Sequence, residues 1–156
     1  MYKWFYLGGV IVFLISLFIV VSNNVSYGRT DSWLERAKDA GNPQQVAEFL
    51  TEYKTSLLDR DLVVGHYYIF WKYPATKMEI YLRVIDGLID RANDLALQNP
   101  TDTSFQMGLT NLEKDLGDIE ATAFSVWKAE GGIFIILILV ITVFYTLLGW
   151  IPLAAY

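Results

Sequence analysis

Apolar and polar positions sort into three blocks along the chain. From Trp4 to Val21 the run WFYLGGVIVFLISLFIVV carries no charge, and from Gly132 to Ile151 the run GIFIILILVITVFYTLLGWI carries none either. Every Asp and Glu, and every Lys or Arg except Lys3, falls between Arg29 and Glu130. At about 1.5 Å of rise per residue, roughly eighteen to twenty helical residues span about 27–30 Å, the thickness of a bilayer's hydrocarbon core. The pattern predicts an all-α membrane protein whose N- and C-terminal transmembrane helices flank a small helical bundle. The expected boundaries are residues 1–22 for the first span, 23–131 for the extramembrane domain, and 132–156 for the second span with a short tail.

A cleaved secretory signal is the rival reading of the first block, since Lys3 precedes an apolar stretch. The run is longer than a usual signal core, and SNNVSYG offers no convincing small-x-small cleavage site, so an anchor is expected. Aromatic residues agree with an antiparallel pair of spans. Tyr2, Trp4 and Tyr6 fall at one membrane face with Trp150 and Tyr156, while Tyr27, Trp33 and Trp127 flank the other. A signal-anchor-like start places both termini in the cytoplasm and the 23–131 domain outside it, in a prokaryotic cytoplasmic or intracytoplasmic membrane.

Within the middle block, Thr30 or Asp31 reads as a helix cap, with Ser32 and Glu35 as a capping-box pair and Gly41 as the stop. Asn42-Pro43 reads as cap and first turn of a second helix carrying Val46, Phe49, Leu50, Tyr53 and Leu57 at helical spacing. Thr76 with Glu79 opens a third, whose stripe is Ile80, Val84, Ile85, Leu88, Ile89, Ala92 and Leu95, up to Asn99-Pro100. A fourth begins near residues 102–104 and is expected to run almost unbroken into the second span, with a kink at Gly131-Gly132. The aromatic segment Leu62 to Pro74 is expected as a short helix, because an isolated strand would leave its backbone unpaired.

Charge narrows the function classes. The middle block holds all 17 acidic residues against 11 of the 12 basic ones, a net of about −6, which disfavours a nucleic-acid or anionic-lipid docking surface. With no cysteine, thiolate chemistry and Cys-ligated metals are excluded. His66, the only histidine, has just Asp59 and Asp61 near it in sequence, so neither a catalytic nor a metal role is assigned to it. Asp86, Asp90 and Asp94 share one helix face and Glu113, Asp115, Asp118 and Glu120 cluster; both sets read as solvated faces.

No ionisable residue lies inside either apolar run, which argues against a conducting or transporting role. Two surfaces are the candidates for partner contact. One is the aromatic group Tyr67, Tyr68, Phe70, Trp71 and Tyr73, too apolar all round to be covered by one core face. The other is Thr142, Thr146 and Gly149, spaced four and three apart on one face of the second span, with Gly8, Val12 and Ser16 as a weaker counterpart in the first. Catalytic, cofactor and metal residues are expected to be none. The sequence predicts a non-enzymatic accessory subunit that packs against other integral membrane subunits and the lipid bilayer. A membrane-anchored sensor-like ectodomain is the alternative.

Overall fold

The computed structural model describes residues 2–68 and 74–150, and side chains within them apart from those of 2–6, 75, 130 and 146–150. Among the described residues the chain is helical, with one isolated β-bridge between His66 and Lys77. It divides into two compact units, Met1–Ser26 with Glu130–Tyr156, and Tyr27–Ala129.

Helix α1 is a single helix of 37 residues, Tyr2–Lys38. Its shielded side recurs in alternating steps of four and three through Gly9, Phe13, Ser16, Val20, Asn23, Tyr27, Thr30, Leu34 and Ala37. Steps of four and three keep such positions on one side of the helix over a few turns. Small or polar residues occupy one register position (Gly9, Ser16, Asn23, Thr30, Ala37) and bulkier ones the other (Phe13, Val20, Tyr27, Leu34). The separate helix expected to start at Thr30 or Asp31 does not exist. Ser32 Oγ donates back to the Arg29 carbonyl at 2.7 Å, and Glu35 pairs with Lys38 at 3.2 Å, so neither caps anything. The chain lacks a breaker strong enough to interrupt a stripe that continues in phase across residues 22–28.

In the unit Met1–Ser26 with Glu130–Tyr156, α1 contributes a segment long and apolar enough to cross a membrane, within Leu7–Lys38. Helix α6, Ile133–Trp150, is the second apolar helix. Away from their shielded stripes both helices present apolar side chains outward, Phe18 at 72 % and Phe134 at 68 % exposure. On α6 the shielded side includes Ile135, Leu139 and Thr142, the Thr142 hydroxyl donates to the Ile138 carbonyl at 2.7 Å, and Gly132, just before the helix, is buried. The side chain of Thr146 and the surroundings of Gly149 lie outside the described residues. On α1, Ser16 is buried, but Gly8 and Val12 are exposed, so the shielded stripe runs through Gly9 and Phe13 instead of the expected Gly8–Val12 face.

In the unit Tyr27–Ala129, helices α2 (Pro43–Leu58), α3 (Met78–Ala96), α4 (Thr103–Gly117) and the short α5 (Ala123–Trp127) close around one core with the end of α1. Asn42 caps α2 as expected, its side-chain oxygen accepting from the Gln45 amide at 2.9 Å, with Pro43 in the first turn. Leu34, Leu50, Tyr53, Leu57, Met78, Ile85, Leu88, Leu112, Leu116 and Val126 are the fully buried large side chains. The α3 stripe is Met78, Tyr81, Ile85, Leu88, Ala92 and Leu95; Ile80 and Val84, read as part of it, face outward. Helix α3 starts one residue later than expected, with Lys77 at its cap, because Thr76 is engaged elsewhere.

Two connections depart from expectation. Residues 61–68 form turns, not a helix. Asp61 and Gly65 take positive φ values of 58° and 96°, and the Gly65 carbonyl accepts from the Met78 amide at 3.0 Å, which folds the segment back onto the start of α3. The second departure is at the end of α4, where the expected near-continuous helix stops. The Asp118 amide bonds to the Lys114 carbonyl and the Ile119 amide to Leu116, and the chain stays non-helical until Ala123. A kink does occur at Gly131, whose φ of 137° is outside the range of ordinary L-residues.

Candidate functional site

Four segments of the Tyr27–Ala129 unit bring oxygen atoms together in its interior. Helix α1 supplies Asp31, α2 supplies Tyr53, α3 supplies Tyr81, and the break before α5 supplies Thr122 and the Glu120 carbonyl. Tyr53 hydroxyl lies 3.3 Å from Asp31 Oδ1, 3.0 Å from the Tyr81 hydroxyl and 3.4 Å from Thr122 Oγ1. Tyr81 hydroxyl lies 2.7 Å from the Glu120 carbonyl oxygen. Asp31 Oδ1 also accepts the Ala123 amide at 3.1 Å, so this carboxylate does cap a helix, but the helix is α5, 92 residues away. The two tyrosine rings meet edge to face with centroids 6.4 Å apart.

The Tyr53 hydroxyl donates to Asp31 Oδ1, which also takes the Ala123 amide, and the Tyr81 hydroxyl donates to the Glu120 carbonyl. Burial pushes the Asp31 carboxyl above its ordinary value, against the lowering effect of the Ala123 amide and the Tyr53 hydroxyl. Burial and the nearby Asp31 push the Tyr53 phenol up to about 12, and burial raises Tyr81 as well, so both tyrosines keep their protons at neutral pH.

This cluster ties together four segments distant in sequence. Its chemistry is that of a polar fastener: Asp31 and the two phenols are mutually satisfied and face the core, not a cavity. Among the described residues no group of three or more His, Asp or Glu side chains converges as a metal site would require.

Next to the fastener lie the described members of the predicted aromatic surface. The Tyr67 ring packs at a tilt against Tyr68, with centroids 4.9 Å apart, and against Tyr81 at 5.6 Å, and it is half-buried against the core. Tyr68 is exposed and donates to Glu120 Oε2 at 2.6 Å. Phe70, Trp71 and Tyr73 lie outside the described residues. His66 Nδ1 and Thr76 Oγ1 are 2.7 Å apart, and the Tyr67 amide donates to the Thr76 carbonyl, so this histidine closes the 62–77 connection. The acidic faces are partly spoken for. Asp86 pairs with Lys54 across α2 and α3, and Asp115 with Arg91 across α3 and α4 at 2.6 Å.

An open groove of about 460 Å³ lies elsewhere on this unit, lined by Arg29, Thr30 and Trp33 of α1 and by Ser56, Asp59 and Arg60 at the end of α2. The Arg60 guanidinium rests over the Tyr27 ring, 4.9 Å from its centroid.

The fastener was not legible from periodicity, which counts a tyrosine in a stripe as apolar. The available signal was that Tyr53 and Tyr81 occupy core positions of their helices, where a phenol needs a hydrogen-bond partner. Comparison with known protein families, curated proteins and solved structures gives no match for this chain.

Proposed function

We propose that this chain is a non-catalytic accessory subunit of an integral membrane complex, anchored by α1 and α6 and holding its helical domain rigidly against a partner subunit. The observation that carries the reading is the continuity of α1. Its first half exposes Leu7, Ile11, Leu14, Ile15, Phe18 and Val21, while its last turns bury Thr30, Leu34 and Ala37 in the domain core. Soluble monomers rarely expose contiguous apolar patches beyond a few hundred square ångströms, so this surface favours a non-aqueous setting. Lipid or another membrane helix is the medium it suits. The outward side chains of α6, Phe134, Val140, Ile141 and Phe144 among them, support a second crossing. The domain interior supports a structural role: its ionisable core residue is consumed in holding segments together. Tyr68, exposed beside Glu120, is the described part of the surface proposed to meet the partner.

The testing experiment is purification of the tagged chain from its native membrane in a mild detergent, followed by size-exclusion chromatography and mass spectrometry. Co-elution with a membrane protein in fixed stoichiometry is expected. Elution as a monomer with no stoichiometric companion would remove the proposal.

A further inference from the structure

The domain is acidic as a whole, yet the groove between α1 and the end of α2 brings two arginines together beside Trp33. Arg29 and Arg60 are 31 positions apart in sequence and meet there because α2 returns the chain toward the apolar half of α1. Among the described residues no ion pair holds Arg29. Measured along α1, Arg29 follows Val21, the last residue of the uncharged run, by eight residues, or about 12 Å of helix. Helical side chains lean toward the helix N-terminus, and an arginine reaches back several ångströms, so its guanidinium falls near the headgroup layer, which is about 5–7 Å thick on each side of the hydrocarbon. Trp33 and Tyr27, the aromatic residues beside these arginines, are of the type enriched at that depth. The same groove holds Asp59 and Ser56. A bare anion gains nothing from Asp59; a headgroup that joins a phosphate to hydroxyl donors satisfies both signs, with phosphate on the arginine forks and hydroxyls donating to Asp59 and Ser56.

We propose that the Arg29–Arg60 groove binds the phosphate of a membrane phospholipid whose headgroup carries hydroxyl donors, the chemistry of phosphatidylglycerol. The inference rests on the reading of α1 as a membrane anchor. Such a lipid fixes the rotation and depth of α1 where the helix leaves the bilayer.

The test uses the full chain in detergent micelles, titrated with phosphatidylglycerol or phosphatidylcholine at equal mole fraction and read by native mass spectrometry. Phosphatidylglycerol is retained in preference to phosphatidylcholine, which has no headgroup donor for Asp59. Arg29→Gln/Arg60→Gln loses that retention by roughly thirtyfold, about fivefold per basic residue, whereas Arg36→Gln, outside the groove, retains it. Equal retention of the two lipids, or unchanged retention in the double variant, overturns the proposal. Displacement of the lipid by millimolar inorganic phosphate reassigns the groove to free phosphate and overturns it too. If the double variant loses helix content by circular dichroism, Arg29→Gln alone carries the test, and no loss of retention there is refuting. Alkaline carbonate separates the two levels. Release of the chain from membranes overturns the anchor reading and this proposal together, while a chain that stays in the pellet but does not discriminate between lipids overturns only the groove.

Discussion

Replacing Asp31 by alanine should cost more than replacing it by asparagine, because asparagine keeps an oxygen where both partners donate. Its Oδ1 takes the Ala123 amide and the Tyr53 hydroxyl as the carboxylate oxygen does, and the change removes the desolvation penalty of a buried charge. Alanine leaves the Ala123 amide without an acceptor, at about 1–3 kcal/mol, while Tyr53 keeps its contacts with Tyr81 and Thr122. The pH dependence carries its own sign. The folded-state carboxyl sits above its unfolded value of 3.8, so the folded chain binds the extra proton. The stabilisation is complete below about 3.8, and it drains away as pH rises through the raised folded-state value, by about 1.4 kcal/mol for each unit of displacement. Asp31→Asn removes this slope, so the gap between variant and wild type opens with rising pH across that window. The assay is denaturant unfolding of the full chain in micelles, followed by tyrosine and tryptophan signals between pH 4 and 8. If Asp31→Asn costs as much as Asp31→Ala at pH 7, the bridging role of the oxygen that accepts from Ala123 and Tyr53 is refuted.

Other substitutions test the remaining architecture by the same unfolding measurement. Asn42→Ala removes the α2 cap and should cost about 1 kcal/mol. Leu88→Ala, at a position with no exposure, should cost about 2–5 kcal/mol, whereas Val84→Ala on the same helix at 49 % exposure should stay within about 0.5. Gly131→Ala meets no neighbouring atom within 4 Å, so any loss of stability, expected at about 1–3 kcal/mol, comes from the φ of 137° alone. Tyr68→Phe, which loses an exposed bond to Glu120, should leave stability within about 0.5 kcal/mol and so isolate any effect on partner co-elution.

Helices α2 and α3 were legible because the signals that start and shape them are local. Asn42-Pro43 fixes one start within two residues, and an apolar stripe three turns long shows its own period whatever it packs against. The break at residues 118–122 escaped because Leu116, Ile119 and Ala123 keep helical spacing through it; only Gly117 hinted at a stop. Asp31 was read as a cap for its own neighbourhood, since capping signals in sequence are judged within a few residues. The amide it caps belongs to Ala123, and nothing local announces a bond across 92 positions. The fastener as a whole is a product of tertiary packing. Each of its members looks ordinary where it stands, Tyr53 as a stripe residue, Tyr81 beside the third helix's stripe and Thr122 as one more residue of the expected long fourth helix.

The last turns of α1 make chain length a matter of phase. A single residue inserted between Thr30 and Leu34 turns the helix beyond it by about 100°, so Leu34 and Ala37 would leave the core side they now share with Thr30. Seven inserted residues would restore that side, within the slight drift of a straight helix. This short charged stretch, unremarkable in composition, therefore tolerates substitution at its exposed positions Ser32, Glu35 and Arg36 far better than insertion or deletion.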